Sequence, residues 1–90
     1  MTKDQINQRL YLLFMALQFH RQYEAFFTIG ECIMINQERG QLRYTLTYPS
    51  ATLRPVSQVI ENKIIKIDQL IQAYNWQPLN KIDFNDDNEN

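Results

Sequence analysis

The chain has one histidine and one cysteine, His20 and Cys32, and these are the residues from which a nucleophile and its base could be made. A thiolate nucleophile needs a base within hydrogen-bond reach and an electropositive setting. Neither is implied by the neighbouring residues, and the economical reading is a half-buried helix-end histidine and a small buried cysteine. Zinc asks for about four nitrogen or sulfur ligands, so one His and one Cys predict no metal site. Glu31 is the third candidate, an acid set among Phe27, Ile29, Ile33 and Ile35. Buried and unpaired, its carboxyl would be pushed up, as in a catalytic acid. An edge position paired with Arg54 or His20 explains it equally and asks for less. No paired acid-base set is present, and we expect a protein that is not an enzyme and uses no cofactor.

Charge and glycine content narrow the classes further. Only Gly30 and Gly40 are glycines, which excludes the glycine-rich phosphate cradles of P-loop and dinucleotide-binding proteins. The net charge of −1 conceals an asymmetry: residues 1–82 hold all nine Lys and Arg against six acids, a surplus of three, while Asp83, Asp86, Asp87 and Glu89 make the end acidic. Arg39, Arg43, Arg54, Lys63 and Lys66, with Tyr44 or Tyr48 as stacking platforms, are the only set that could grip single-stranded nucleic acid. They are spread along the chain and read more simply as a solvated surface. The acidic tail reads as a solubilising terminus; its functional alternatives are contact with a basic partner surface or mimicry of phosphates.

Ninety residues make one small domain. The apolar run that includes Tyr11 to Leu17 is far short of the ~20 residues that cross a bilayer. No basic n-region or small-x-small cleavage site marks a secretory signal, and a lone Cys32 does not suggest a disulfide scaffold, so an intracellular, cytoplasmic protein is expected.

The elements that must position these residues follow from spacing. Thr2 and Gln5 match a capping box, which starts a helix at about Lys3 that runs to about Tyr23. At 100° per residue Ile6, Leu10, Leu13, Phe14 and Leu17 form one stripe, and Leu12, Ala16, Phe19 and Tyr23 a second, with Met15 beside it. One core contact cannot use both stripes. From Phe26 the residues turn aromatic and β-branched, which predicts a strand with Ile29, Glu31, Ile33 and Ile35 on its core face. Asn36 to Gly40 reads as a hairpin turn, and Leu42, Tyr44, Leu46 and Tyr48 alternate as a second strand up to Pro49. Pairing Asn36 with Gln41 keeps one face apolar. Pro55 then suits the first turn of a second helix whose stripe is Val56, Val59, Ile60, Ile64, Ile67, Leu70, Ile71 and Tyr74. The rival assignment makes Glu24 to Asn36 a helix and the protein mostly helical.

The expected fold is therefore α+β in the order α-β-β-α: a two-stranded antiparallel hairpin covered by two helices, with residues 1–84 as the domain and 85–90 as a disordered acidic tail. Its core is Leu10, Leu13, Phe14, Leu17, Ile29, Ile33, Tyr44, Leu46, Val59, Ile60, Ile64, Ile67 and Ile71. In its order of elements the chain is similar to small phage head-tail joining proteins, a likeness that implies a phage or mobile-element origin and carries over no residue or activity.

The function expected is a small protein-binding module: an inhibitor, adaptor or assembly component. Its partner interface is Leu12, Met15, Phe19 and Tyr23, expected to pair with itself in a homodimer through this first helix or else to serve another protein, since the segment from Trp76 to Phe84 could screen the stripe only in part and by laying irregular backbone over it. The alternative is a nucleic-acid-binding regulator using the hairpin arginines and tyrosines.

Overall fold

A computed structural model describes residues 1–23, 26–50 and 53–78. They form three α-helices: α1 (Lys3–Tyr23), α2 (Ile29–Thr47) and α3 (Gln58–Tyr74). The described residues contain no strand, so the protein is helical and not the α+β fold that alternation predicts. The resemblance in element order, which needed the hairpin, lapses with it.

The middle position of α1 explains its two stripes, because α1 packs against both α2 and α3. Its first turn is fixed reciprocally: the Thr2 N–H donates to Gln5 Oε1 at 2.8 Å and the Gln5 N–H to Thr2 Oγ1 at 3.2 Å. Ile6, Leu10, Leu13, Phe14 and Leu17 are buried, and so are Met15, Ala16 and Phe19 from the second stripe. A helix flanked on two sides has little use for a polar face.

Residues 29–47 are where strand periodicity misleads. A capping box at Thr28 starts α2, with the Glu31 N–H donating to Thr28 Oγ1 at 3.1 Å and the Thr28 N–H to Glu31 Oε1 at 2.9 Å. Behind it stand good helix formers, among them Met34, Gln37, Glu38, Arg39, Gln41 and Leu42. The buried positions are Ile35, Glu38, Arg39, Leu42 and Thr45, spaced by three and four as on a helix. Ile29, Ile33 and Tyr44, placed in the core by the hairpin reading, are exposed instead, and Leu46 is half-buried. Gly40 makes no turn; it lies inside the helix without a positive φ. The helix stops at Tyr48, as expected of a residue before proline, which is held out of the α region.

Ser57, not Pro55, opens α3, its Oγ accepting the Ile60 N–H at 3.4 Å. Ile60, Ile64, Ile67 and Ile71 face the core as their spacing predicts, but Val59 is exposed. At the other end Asn75 takes the left-handed conformation (φ 49, ψ 44) and the Trp76 N–H reaches back to the Ile71 carbonyl at 3.0 Å. This left-handed cap reverses the chain and lays Trp76 against Phe19, ring centroids 5.2 Å apart and edge-on. The acidic stretch 85–90 lies outside the described residues.

Candidate partner-binding groove

The structure gives His20 and Glu31 hydrogen-bond partners and packs Cys32 against the core. His20 Nδ1 accepts the backbone N–H groups of Phe26 and Phe27 at 3.4 and 3.2 Å, so it holds the turn between α1 and α2. As an acceptor that nitrogen carries no proton. Cys32 is half-buried on α2, and burial first, then the Glu31 carboxylate, pushes its thiol up, away from the thiolate a nucleophile needs. Glu31 is no isolated acid. Its carboxylate accepts from Lys63 Nζ at 2.7 Å as well as from the Thr28 backbone, and these bonds hold its carboxyl below the ordinary value. Among the described residues no group of three or more His, Cys, Asp or Glu is placed to hold a metal ion.

Three charges join the helices. Arg9 of α1 is bidentate to Glu38 of α2 (Nε to Oε2 2.7 Å, Nη2 to Oε1 3.0 Å) and bidentate to Glu61 of α3 (Nη2 to Oε1 2.6 Å, Nη1 to Oε2 3.0 Å). Burial lowers the pKa of this guanidinium, but its hydrogen bonds to Glu38 and Glu61 outweigh that and raise it. It is a permanent cation that ties the three helices together.

Two of the basic set are engaged within the chain. Arg39 is buried with its Nη1 on Asn36 Oδ1 at 3.0 Å, and burial followed by its neighbour Arg43 pulls it down. Lys63 of α3 is engaged by Glu31 of α2, and Tyr44 and Tyr48 sit at the end of a helix instead of on a strand.

The proposed interface residues divide. Met15 and Phe19 are buried within the chain, Leu12 is half-buried and Tyr23 exposed. Phe19, Tyr23, Phe26 and Trp76 form an aromatic cluster in which Phe19 touches the other three rings at 4.8 to 5.4 Å. Trp76 therefore screens the end of the stripe, as one of the coverings considered from sequence. Its N-terminal half, however, opens onto a groove of about 720 Å³ between α1 and α3. Among the described residues Leu12, Met15, Ile71, Trp76 and Tyr11 supply the apolar lining, Asp4 and Asp68 are its only charged residues, and the remainder are Asn and Gln. Neither carboxylate belongs to an ion pair among the described residues.

Sequence reasoning found Leu12 and Met15 and missed the opposite wall. Asp4, Gln8, Tyr11 and Met15 share one helical face, as do Asp68, Ile71, Gln72 and Asn75, so each wall was readable alone. Their juxtaposition was not. No family model, curated protein or solved structure matches this chain.

Proposed function

We propose that this protein is a non-enzymatic binding module whose α1–α3 groove receives an apolar, positively charged helical segment of a partner protein. The observation that carries the reading is the composition of the groove: an apolar floor from Leu12, Met15, Ile71 and Trp76, bordered among the described residues by two carboxylates and no cation. An amphipathic helix lying in such a groove is a common mode of recognition, with anchors at i, i+3 or i+4 and i+7. Each large apolar side chain it buries is worth about 1.5–3 kcal/mol, which supplies the affinity, while Asp4 and Asp68 select the sign of the flanking charge. Leu12 and Met15 keep the role in partner binding that their stripe suggests; Phe19 supports the wall from behind through Trp76. A lone free thiol at Cys32 suits the reducing cytoplasm, where we place the protein.

Trp76 is the only tryptophan and lines the groove, so its emission reports occupancy directly. Titration with an amphipathic helical peptide of Leu and Lys should shift that emission, and the same peptide with Glu for Lys should not. Asp4→Asn with Asp68→Asn should weaken the Lys peptide by roughly three- to tenfold, as solvent-accessible charge pairs do, and added salt should do the same. Equal binding of the two peptides, or none of either, overturns the reading.

A further inference from the structure

We infer that the outward face of α2 is a self-association surface on which two copies of this chain pair antiparallel about a two-fold axis. This goes beyond the groove, to which α2 contributes no residue. α2 turns Ile35, Glu38, Leu42 and Thr45 inward. On the opposite side it presents Ile29 at 83% exposure, Ile33 at 53%, Tyr44 at 57% and, just past the helix end, Tyr48 at 53%. Ile33, Tyr44 and Tyr48 lie four, fifteen and nineteen positions from Ile29, so they line a single outer stripe. Gly40 lies in its middle. A Cβ built on Gly40 meets nothing within 4 Å and its φ is not positive, so nothing inside the chain requires a glycine there, although glycine weakens a helix interior relative to alanine.

The stripe matches its own reversal. Set antiparallel to a second α2, Ile29 faces Tyr48, Ile33 faces Tyr44, and Gln37 faces Gly40, each contact occurring twice about the axis. Large side chains meet at both ends, and the glycine admits the glutamine at the centre. No other chain needs to supply the complementary shape. The exposed parts of the four side chains, with Met34 and the polar residues between them, come to roughly 500–800 Å² per chain, at the lower edge of what specific dimers bury. Association in the micromolar range follows, and it leaves both grooves open, so the dimer offers two partner sites.

Sedimentation equilibrium of the full chain up to ~100 μM should show a reversible dimer. Ile33→Glu with Tyr44→Glu should weaken it by more than about tenfold, two central anchors being lost, while the helical circular dichroism and the response of Trp76 to the Leu and Lys peptide are kept. Loss of the peptide response with the dimer intact would sink the groove reading and not this one. Should the double variant fail to fold, cysteine pairing decides instead. In a Cys32→Ser background, Gly40→Cys mixed with Gln37→Cys should oxidise to a cross-linked dimer, and Gly40→Cys mixed with Val59→Cys should not. A protein monomeric throughout, a folded double variant that still dimerises, or cross-linking through position 59 as efficient as through 37 overturns the inference.

Discussion

α1 and α2 are both apolar on two sides, yet only one of them has both sides covered. α1 has α2 against one stripe and α3 with Trp76 against much of the other. α2 has α1 behind it and leaves Ile29, Ile33, Tyr44 and Tyr48 in water. The residue types on the two outer stripes are alike. Composition and period therefore identify a sticky face but do not say which face the chain itself will use. The helix that looked like the interaction surface is the centre of the core, and the segment read as core strands carries an exposed apolar stripe.

The largest expected effect comes from loosening α1 from both neighbours at once. Arg9→Leu removes the cation between Glu38 and Glu61 and leaves two partly buried carboxylates facing each other. Breaking a buried ion network in this way costs about 3–5 kcal/mol, here toward the lower figure because Glu61 still reaches solvent. Chemical denaturation at neutral pH measures it. Adding Glu38→Leu and Glu61→Leu should recover most of the loss, since apolar replacements of a whole network are often neutral or better. A small cost for Arg9→Leu alone would mean that packing, not charge, sets the register of the helices.

Next in size is a pair of substitutions on α2. Leu42 and Tyr44 lie on one face of a strand and on opposite sides of a helix. Leu42 is 1% exposed, so Leu42→Ala should cost about 2–5 kcal/mol. Tyr44→Ala removes an exposed ring and should stay within about 0.5 kcal/mol of the parent when measured where the chain is monomeric. Comparable losses at the two positions would restore the hairpin.

That pair also shows how far the fold was legible. α1 could be read from its cap, Thr2 with Gln5, and α3 from its 3.6-residue period, Ile60, Ile64, Ile67 and Ile71, although its start was misplaced at Pro55. In α2 two periods compete. Leu42, Tyr44, Leu46 and Tyr48 alternate, but only because the outer stripe of the helix is as apolar as the inner one, so every second residue falls on one stripe or the other. The Thr28 and Glu31 box was the signal that could have decided it, three residues apart in plain sequence. At the groove, Leu12 and Met15 were legible from α1, whereas the Asp68 to Trp76 wall depends on how α3 packs and on the reversal at Asn75. The Arg9 cluster was not legible at all, because its members are 29 and 52 positions apart and each alone looks like a surface charge.

Gly40→Ala sharpens the comparison from the other side. If the position is an ordinary helix interior with open space beyond it, alanine should stabilise the monomer by about 0.5–1 kcal/mol, a rise of a few degrees in Tm. The same methyl group would crowd Gln37 of the partner chain and weaken the antiparallel pair. Stability up and dimerisation down is the combined outcome expected; a fall in Tm would mean that the backbone at Gly40 does need glycine.

The smallest expected effect concerns how α2 is held to α3. Glu31 of α2 accepts from Lys63 of α3, and its carboxyl lies below its ordinary value of 4.5 because of that bond first and the Thr28 backbone N–H second. A carboxyl lowered on folding stabilises the native state fully above its unfolded value, and that contribution disappears as the pH falls through the lowered native value. At pH 7 Glu31→Gln should therefore melt slightly below the parent, with the deficit reduced because glutamine can still accept from Thr28 in the capping box. As the pH is lowered past 4.5 the parent protonates Glu31 and its Tm should fall toward that of the variant, closing the gap. Lys63→Met should show the same convergence at neutral pH in high salt, where a partly exposed ion pair is screened. A gap between parent and Glu31→Gln that stays constant from pH 7 down to the acid transition would assign the role of Glu31 to the cap geometry alone and remove Lys63 as a tie between the two outer helices.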